Sequence, residues 1–158
     1  MLLAVFSDSH GDDQAMHRAV ERCRPNHIFF LGDGVRDAAQ IARSFPAIPM
    51  TILRGNCDFD TACPDRALIE LDGVRIFAAH GHNHGVKLGL DGFCNSVCCS
   101  GARLGLFGHT HRPLLRDMAG VTLMNPGSIG NLSSPTFGLV TIENGDFQCK
   151  IVHINEDF

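Results

Sequence analysis

Lysine is nearly absent: Lys87 and Lys150 are the only two in 158 residues, and the formal net charge is −4. A chain that follows a nucleic-acid backbone needs a basic stripe, so long polynucleotides are not expected as partners. Any phosphate group recognised here would be met by metal ions and a few arginines. Long apolar runs are missing too; none approaches the roughly 20 residues of a membrane span, so no membrane partner is expected. The cysteines lack paired spacing. There are seven, an odd number, and Cys98 and Cys99 are adjacent, which argues against a disulfide framework and a zinc knuckle. They are expected to be reduced, mostly as small buried hydrophobes. The opening Met1 to Phe6 has no basic flank and runs straight into Asp8, so it reads as a strand and not as a signal peptide. The cytoplasm is the expected location.

What is present suits an ordinary globular chain, 44% hydrophobic and 19% charged. Residues 1–158 are expected to form one domain, with no internal repeat, linker or low-complexity tract, and with enough chain to bury a core unaided. Six segments are apolar enough for buried strands: Leu2 to Phe6, His27 to Leu31, Met50 to Leu53, Val74 to Ala79, Leu104 to Phe107 and Val121 to Met124. Asp12 to Arg22 and Arg36 to Ser44 show helical character, the first with acidic residues at its start and basic ones at its end. The chain thus opens β-α-β-α-β. Asp72-Gly73 and Asn144-Gly145 are two-residue hairpin signals, the first between Ala67 to Leu71 and Val74 to Ala79, the second between Phe137 to Ile142 and Phe147 to Ile154. An α/β opening that ends in antiparallel ribbons implies a mixed sheet, or two packed sheets, with helices outside.

One event recurs five times: an apolar strand ends and a metal-ligand side chain follows. The segments are Phe6-Ser7-Asp8-Ser9-His10, Leu31-Gly32-Asp33, Arg54-Gly55-Asn56-Cys57-Asp58, Ala79-His80-Gly81-His82 and Phe107-Gly108-His109-Thr110-His111. Ligand crevices of open α/β sheets lie beyond the carboxyl ends of the strands, so five strand ends would gather residues that the sequence scatters. Each alone reads sooner as a turn or helix-start residue than as a ligand; the recurrence is what carries the inference. Carboxylate, amide oxygen and imidazole without thiolate suit manganese, iron, zinc or nickel. Asp8, His10, Asp33, Asn56, His80, His109 and His111 are too many ligands for one tetrahedral ion, whereas two ions about 3.5–4 Å apart would use them all.

Asp8-Ser9-His10, Gly32-Asp33, Gly55-Asn56-Cys57-Asp58, His80-Gly81-His82, Gly108-His109-Thr110-His111 and Asn125-Pro126-Gly127-Ser128 together resemble the calcineurin-like metallophosphoesterases. Within that family they resemble the small, cap-less YfcE-type phosphodiesterases. The resemblance implies an α/β (α+β) four-layer sandwich, two mixed β-sheets face to face with helices on both outer sides. It implies that Asp8, His10 and His111 hold one divalent ion, that Asn56, His80 and His109 hold the other, and that Asp33 bridges them. It also implies that His82 faces the substrate and that Asn125 to Ser128 walls the pocket, a stretch that otherwise reads as a plain Pro-Gly loop. His84 has no role in that pattern and is expected to be solvent-exposed at a helix start. Arg36 and Arg112 flank motif residues, as surface arginines or phosphate contacts. Many larger relatives carry a histidine where this chain has Cys57, so the group that protonates the leaving alcohol is left open.

The expected activity is therefore hydrolysis of small phosphodiesters by a metal-bridging hydroxide, with two divalent ions, manganese first among them, and with Asp33, Asn56 and His82 at the reacting centre. The rival function is a protein-binding scaffold, since the same fold serves in the retromer coat. Homo-oligomerisation is compatible with the sequence but not specified by it.

Overall fold

Alternation along the first strand sets the layering, because successive strand side chains point to opposite faces. In β1 (Leu2–Phe6) Leu3 and Val5 enter one apolar cluster while Ala4 and Phe6 enter another, and in β2 (His27–Phe30) Phe29 parts from Ile28 and Phe30 in the same way. The computed structural model describes residues 1–59 and 61–156. The remaining elements are α1 (Gln14–Cys23), α2 (Val35–Ser44), β3 (Met50–Ile52), β4 (Arg66–Leu71), β5 (Val74–Ala79), α3 (Asp91–Cys99), β6 (Leu104–Leu106), β7 (Leu114–Met118), β8 (Val121–Asn125), β9 (Thr136–Glu143) and β10 (Asp146–His153).

The strands form two five-stranded mixed sheets, in the orders β10-β9-β1-β2-β3 and β4-β5-β6-β8-β7. Leu3, Val5, Phe29, Leu31, Ile76, Leu104 and Met124 fill the space between the sheets. Ala4, Phe6 and Phe30 pack outward against Met16, Ala19 and Val20 of α1 and Ile41 of α2. Phe77, Phe107 and Leu123 pack on the opposite outer side against Phe93 and Val97 of α3. Helices, sheet, sheet and helix are the four layers that the motif resemblance implies. Six phenylalanines lie among the largest fully buried side chains, each contributing roughly 1.5–3 kcal/mol by burial.

Both anticipated hairpins are present. Asp72-Gly73 has φ of 47° and 80°, and Asn144-Gly145 has 53° and 76°, the left-handed pair that a type I′ turn demands. A third hairpin joins β7 to β8 through Ala119-Gly120, with φ of 51° and 81°. It carries no sequence signal, because alanine is not a residue that favours this conformation. Nor is β7 apolar; it is an edge strand with its middle residues exposed. Helix α3 is likewise absent from the sequence reading, because Gly92, Ser96 and three cysteines blur its periodicity. Two expectations are corrected. Of the seven cysteines, all free, only Cys94 is fully buried and Cys57, Cys98 and Cys99 are exposed. His84 is in a single 3-10 turn, His82–His84, and not at a helix start. It is half-buried, edge-on to Phe77 and Phe93 at centroid distances of 5.9 and 5.3 Å.

The carboxyl ends of β1, β2 and β3 meet those of β5 and β6 along one edge, and two glycines permit the approach. A Cβ on Gly55 would run into the Asp33 side chain and lie 2.6 Å from its backbone nitrogen. On Gly108 it would run into Ser7 Oγ and lie 2.9 Å from Asp8 Oδ2. The loops after β2 and β3 are then fastened by Asp58. Its Oδ2 accepts the N–H of Asp33 (2.7 Å) and of Gly55 (2.8 Å), and its Oδ1 accepts those of Gly34 and Val35, both at 2.9 Å. The carboxylate thus satisfies orphan donors at the start of α2 while fixing Asp33.

Asp58→Asn should lower stability by about 2–3 kcal/mol, because its amide group would face two of the four backbone donors. Urea unfolding of the metal-free protein checks this. A change below about 0.5 kcal/mol would mean that water replaces the clamp without loss.

Candidate metal centre

Five of the seven expected ligands stand in left-handed backbone: Asp8 (φ 56°), His10 (47°), Asp33 (59°), His109 (66°) and His111 (58°). For residues with a Cβ this costs about 1 kcal/mol or more each, and such strain gathers at functional sites. The surroundings hold it in place. The Asp8 N–H donates to the Gly32 carbonyl (3.0 Å), and the Asp8 carbonyl accepts from Ser128 Oγ (2.7 Å) and the Gly130 N–H (3.3 Å). Ser9 Oγ and the Gly11 N–H donate to Asp37 Oδ2 at 2.5 and 2.8 Å, tying the first loop to α2.

One set of ligand atoms belongs to Asp8, His10 and His111, and a second to Asp33, His80 and His109; within each set all lie within 4.8 Å of one another. Asp8 is fully buried. Its Oδ2 accepts the His109 N–H at 3.1 Å, while its Oδ1 has no hydrogen-bond partner. That orphan oxygen faces His111 Nε2 at 3.2 Å and His10 Nε2 at 4.0 Å, and the two ring nitrogens are 3.2 Å apart. In the second set, His80 Nδ1 donates to the Leu31 carbonyl at 2.9 Å, which leaves the Nε2 lone pair of the neutral ring facing Asn56 Oδ1 at 3.2 Å and Asp33 Oδ2 at 3.4 Å. A backbone carbonyl that fixes the far ring nitrogen is a common support for a metal-binding histidine. Lone pairs converging on lone pairs are relieved by a proton or by a cation, and this donor set fits a divalent cation.

The ionisation of the groups follows from the same crowding. Burial pushes the Asp8 carboxyl above its ordinary value, against the pull of His80. Burial alone would raise Asp33 as well, but the bonds to His80 and the Cys57 N–H (2.8 Å) outweigh it and hold the group well below the usual carboxylate range. His80 is the counterpart: burial would lower it, and the carboxylates of Asp33 and Asp8 raise it instead. Burial, with His80 beside it, takes His109 down to about 4, so that this imidazole is neutral and offers a lone pair at physiological pH.

His82 joins the cluster from the 3-10 turn, its ring 5.3 Å from that of His80 and 6.1 Å from that of His109. Burial, then His80, lowers its pKa. Asn125 to Ser128 is more than a plain loop. Asn125 is buried, donates from Nδ2 to the Gly108 carbonyl (2.8 Å) and Thr110 Oγ1 (3.0 Å), and receives the Gly127 N–H at Oδ1 (2.9 Å). The segment braces the loops that carry Asp8 and His109 from behind. Arg36 and Arg112 are both exposed. Two residues were missed as positioning groups. Asp58 was legible only as part of the Gly55 to Asp58 motif, and Asp37 had no signal, since both act by accepting backbone N–H groups from distant loops.

Comparison with known proteins bears on the fold and the family. The E. coli K12 protein named phosphodiesterase YfcE is 27% identical over 154 residues, covering 82% of this chain and 79% of that one. A solved structure of a predicted phosphoesterase from Streptococcus pneumoniae superposes with a TM-score of 0.83 at 24% identity, covering 99% of this chain and 91% of that one. A structure of Vps29 from Entamoeba histolytica complexed with zinc matches with a TM-score of 0.77 at 19% identity, covering 98% of this chain and all of that one; at such identities the two likenesses speak for the fold. The family model of the calcineurin-like phosphoesterase superfamily domain matches residues 1–145, and the chain belongs to that superfamily.

Proposed function

We propose that this protein hydrolyses small phosphodiesters with two divalent cations, manganese the leading candidate. Asp8, His10 and His111 would hold one, Asn56, His80 and His109 the other, and Asp33 would serve both. The observation that carries the reading is the pair of adjacent donor sets at the shared strand edge, each within 4.8 Å and one holding a buried, partnerless carboxylate oxygen. Divalent cations at paired sites neutralise phosphate charge and lower the pKa of water from 15.7 to about 7.

The chain's own part is placement and proton control. The Asp58 carboxylate fixes the Asp33 backbone N–H, the Cys57 N–H holds Asp33 Oδ1, and the Leu31 carbonyl fixes the His80 ring. His82, neutral and beside His80 and His109, is the side chain assigned to hydrogen-bond the ester. Cys57 is exposed, and its sulfur lies within 4.8 Å of a His10 ring nitrogen and an Asp33 carboxylate oxygen. Burial and then Asp33 raise its pKa, so it stays a thiol, a weak donor to a departing alkoxide. Good leaving groups suffer least from a weak donor. A monoester dianion brings more charge than a diester, and the chain, with two lysines in all, has no cluster of them to meet it. A binding scaffold of the same fold remains the rival, yet a donor stands at each of the seven positions. Among the described residues no helix is long and apolar enough to cross a membrane.

Elemental analysis of purified protein should find two equivalents of divalent metal per chain, and Asp33→Asn should reduce both; one equivalent, or unchanged content in the variant, would exclude a shared carboxylate. With manganese, bis(nitrophenyl) phosphate should be cleaved faster than nitrophenyl phosphate, and Cys57→His should narrow the difference between activated and unactivated esters. Faster monoester turnover by the unmodified protein, or an unaltered leaving-group dependence in the variant, would remove Cys57 from the account.

A further inference from the structure

Beside Asp33 the site opens into a cavity of about 520 Å³ between the start of α2 and the loop after β3, lined in part by His10, Arg36, Cys57, Phe59 and Thr61. This volume suits a small-ligand site, for which about 300–1,000 Å³ is usual. Phe59 is 81% exposed and stacks on no other ring among the described residues. Leaving a phenylalanine in water forgoes the stabilisation its burial would bring, and an exposed apolar surface at the mouth of a site marks a binding surface. The charges around it are largely committed. Asp37 is taken by Ser9 and Gly11, and Asp58 by four backbone N–H groups. Arg36 has no acidic partner among the described residues, which makes it the available cation of the cavity. The cavity therefore offers a flat apolar face and a free positive charge, continuous with Asp33 and His10.

We propose that this cavity receives a flat aromatic substituent of the ester, with the chemistry of a nucleobase, stacked on Phe59 and attended by Arg36. The substrate class is then a nucleoside-derived phosphodiester of one or a few units, in keeping with the lack of a basic stripe for longer chains. The proposal rests on the phosphodiesterase reading for its kinetics and stands apart from it in binding. Stacking of one base on an aromatic side chain is worth about a tenfold change in affinity or more.

Two diesters with the same nitrophenyl leaving group test it, one carrying a nucleoside and the other a methyl group. The manganese-loaded wild type should favour the nucleoside ester through a lower KM. Phe59→Ala should lose about tenfold in kcat/KM on that ester while the methyl ester is unaffected, and Phe59→Tyr, which keeps the ring, should retain the preference. Binding is read separately with 2-aminopurine riboside monophosphate. The protein has neither tryptophan nor tyrosine, so quenching of the probe on stacking is free of protein background. The wild type should quench it and Phe59→Ala should not. Equal specificity for the two esters in the wild type, or quenching that survives Phe59→Ala, would overturn the subsite. Failure to cleave either ester with any divalent metal would overturn the phosphodiesterase reading instead, and quenching confined to the wild type would still support the aromatic subsite.

Discussion

The Asp58 carboxylate gathers four backbone N–H groups from two loops, and the placement of Asp33 depends on it. Asp33 in turn meets His80 at 3.4 Å and the Cys57 N–H at 2.8 Å, and its carbonyl receives the His10 N–H at 3.2 Å. The ends of β1, β2, β3 and β5 are thereby referred to one anionic side chain, that of Asp58. A charged acceptor suits this task because hydrogen bonds to an ion are stronger than neutral ones. It also places negative charge at the start of α2, where the helix dipole favours it. The same carboxylate thus stabilises the helix and orients the site, and the two roles are not separable.

Around that clamp the molecule holds donors that repel one another. Asp8 Oδ1 is buried among ring nitrogens, and His80 presents its lone pair to two oxygens. The opposite pKa displacements of His80 and His109, one raised and one lowered, arise in a single cluster: at His80 burial is outweighed by the carboxylates of Asp33 and Asp8, and at His109 burial, with His80 beside it, prevails. The fold holds this arrangement by packing four layers around it, with aromatic side chains closing the base. Phe6 stacks on Phe137 at 5.4 Å below the Asp8 loop, and Phe93 meets Phe107 at 5.0 Å below the His109 loop.

Much of this was legible in the sequence, for reasons that can be named. A parallel strand buried on both faces is a short apolar run, so β1, β2, β5, β6 and β8 announced themselves, as did the partly buried β3, and each candidate ligand lies within five residues past one of these runs. Asp72-Gly73 and Asn144-Gly145 were legible because their residues tolerate the left-handed backbone; Ala119-Gly120 was not, since alanine carries no such mark. An exposed edge strand and a cysteine-bearing helix have no periodicity to betray them. Within the site, side chains that would touch an ion were legible. Of the side chains that hold the loops, Asp58 and Asn125 showed only as members of their motifs and Asp37 not at all, because their partners lie on loops that only the fold brings together. His84 was misjudged for the same reason: only the fold reveals that Phe77 and Phe93 lie beneath it.

The left-handed conformation at Asp8, His10, Asp33, His109 and His111 has an evolutionary corollary. Few residues are at ease there: glycine above all, then asparagine, aspartate and histidine. The last three are also the ones that can coordinate a cation, so at these turns backbone tolerance and coordination chemistry draw on nearly the same short alphabet. A drift from histidine or aspartate to glycine relieves strain as it discards a donor. The architecture therefore leaves a short step between a turn that can coordinate a cation and a turn that only folds, and a chain could take that step without changing its shape.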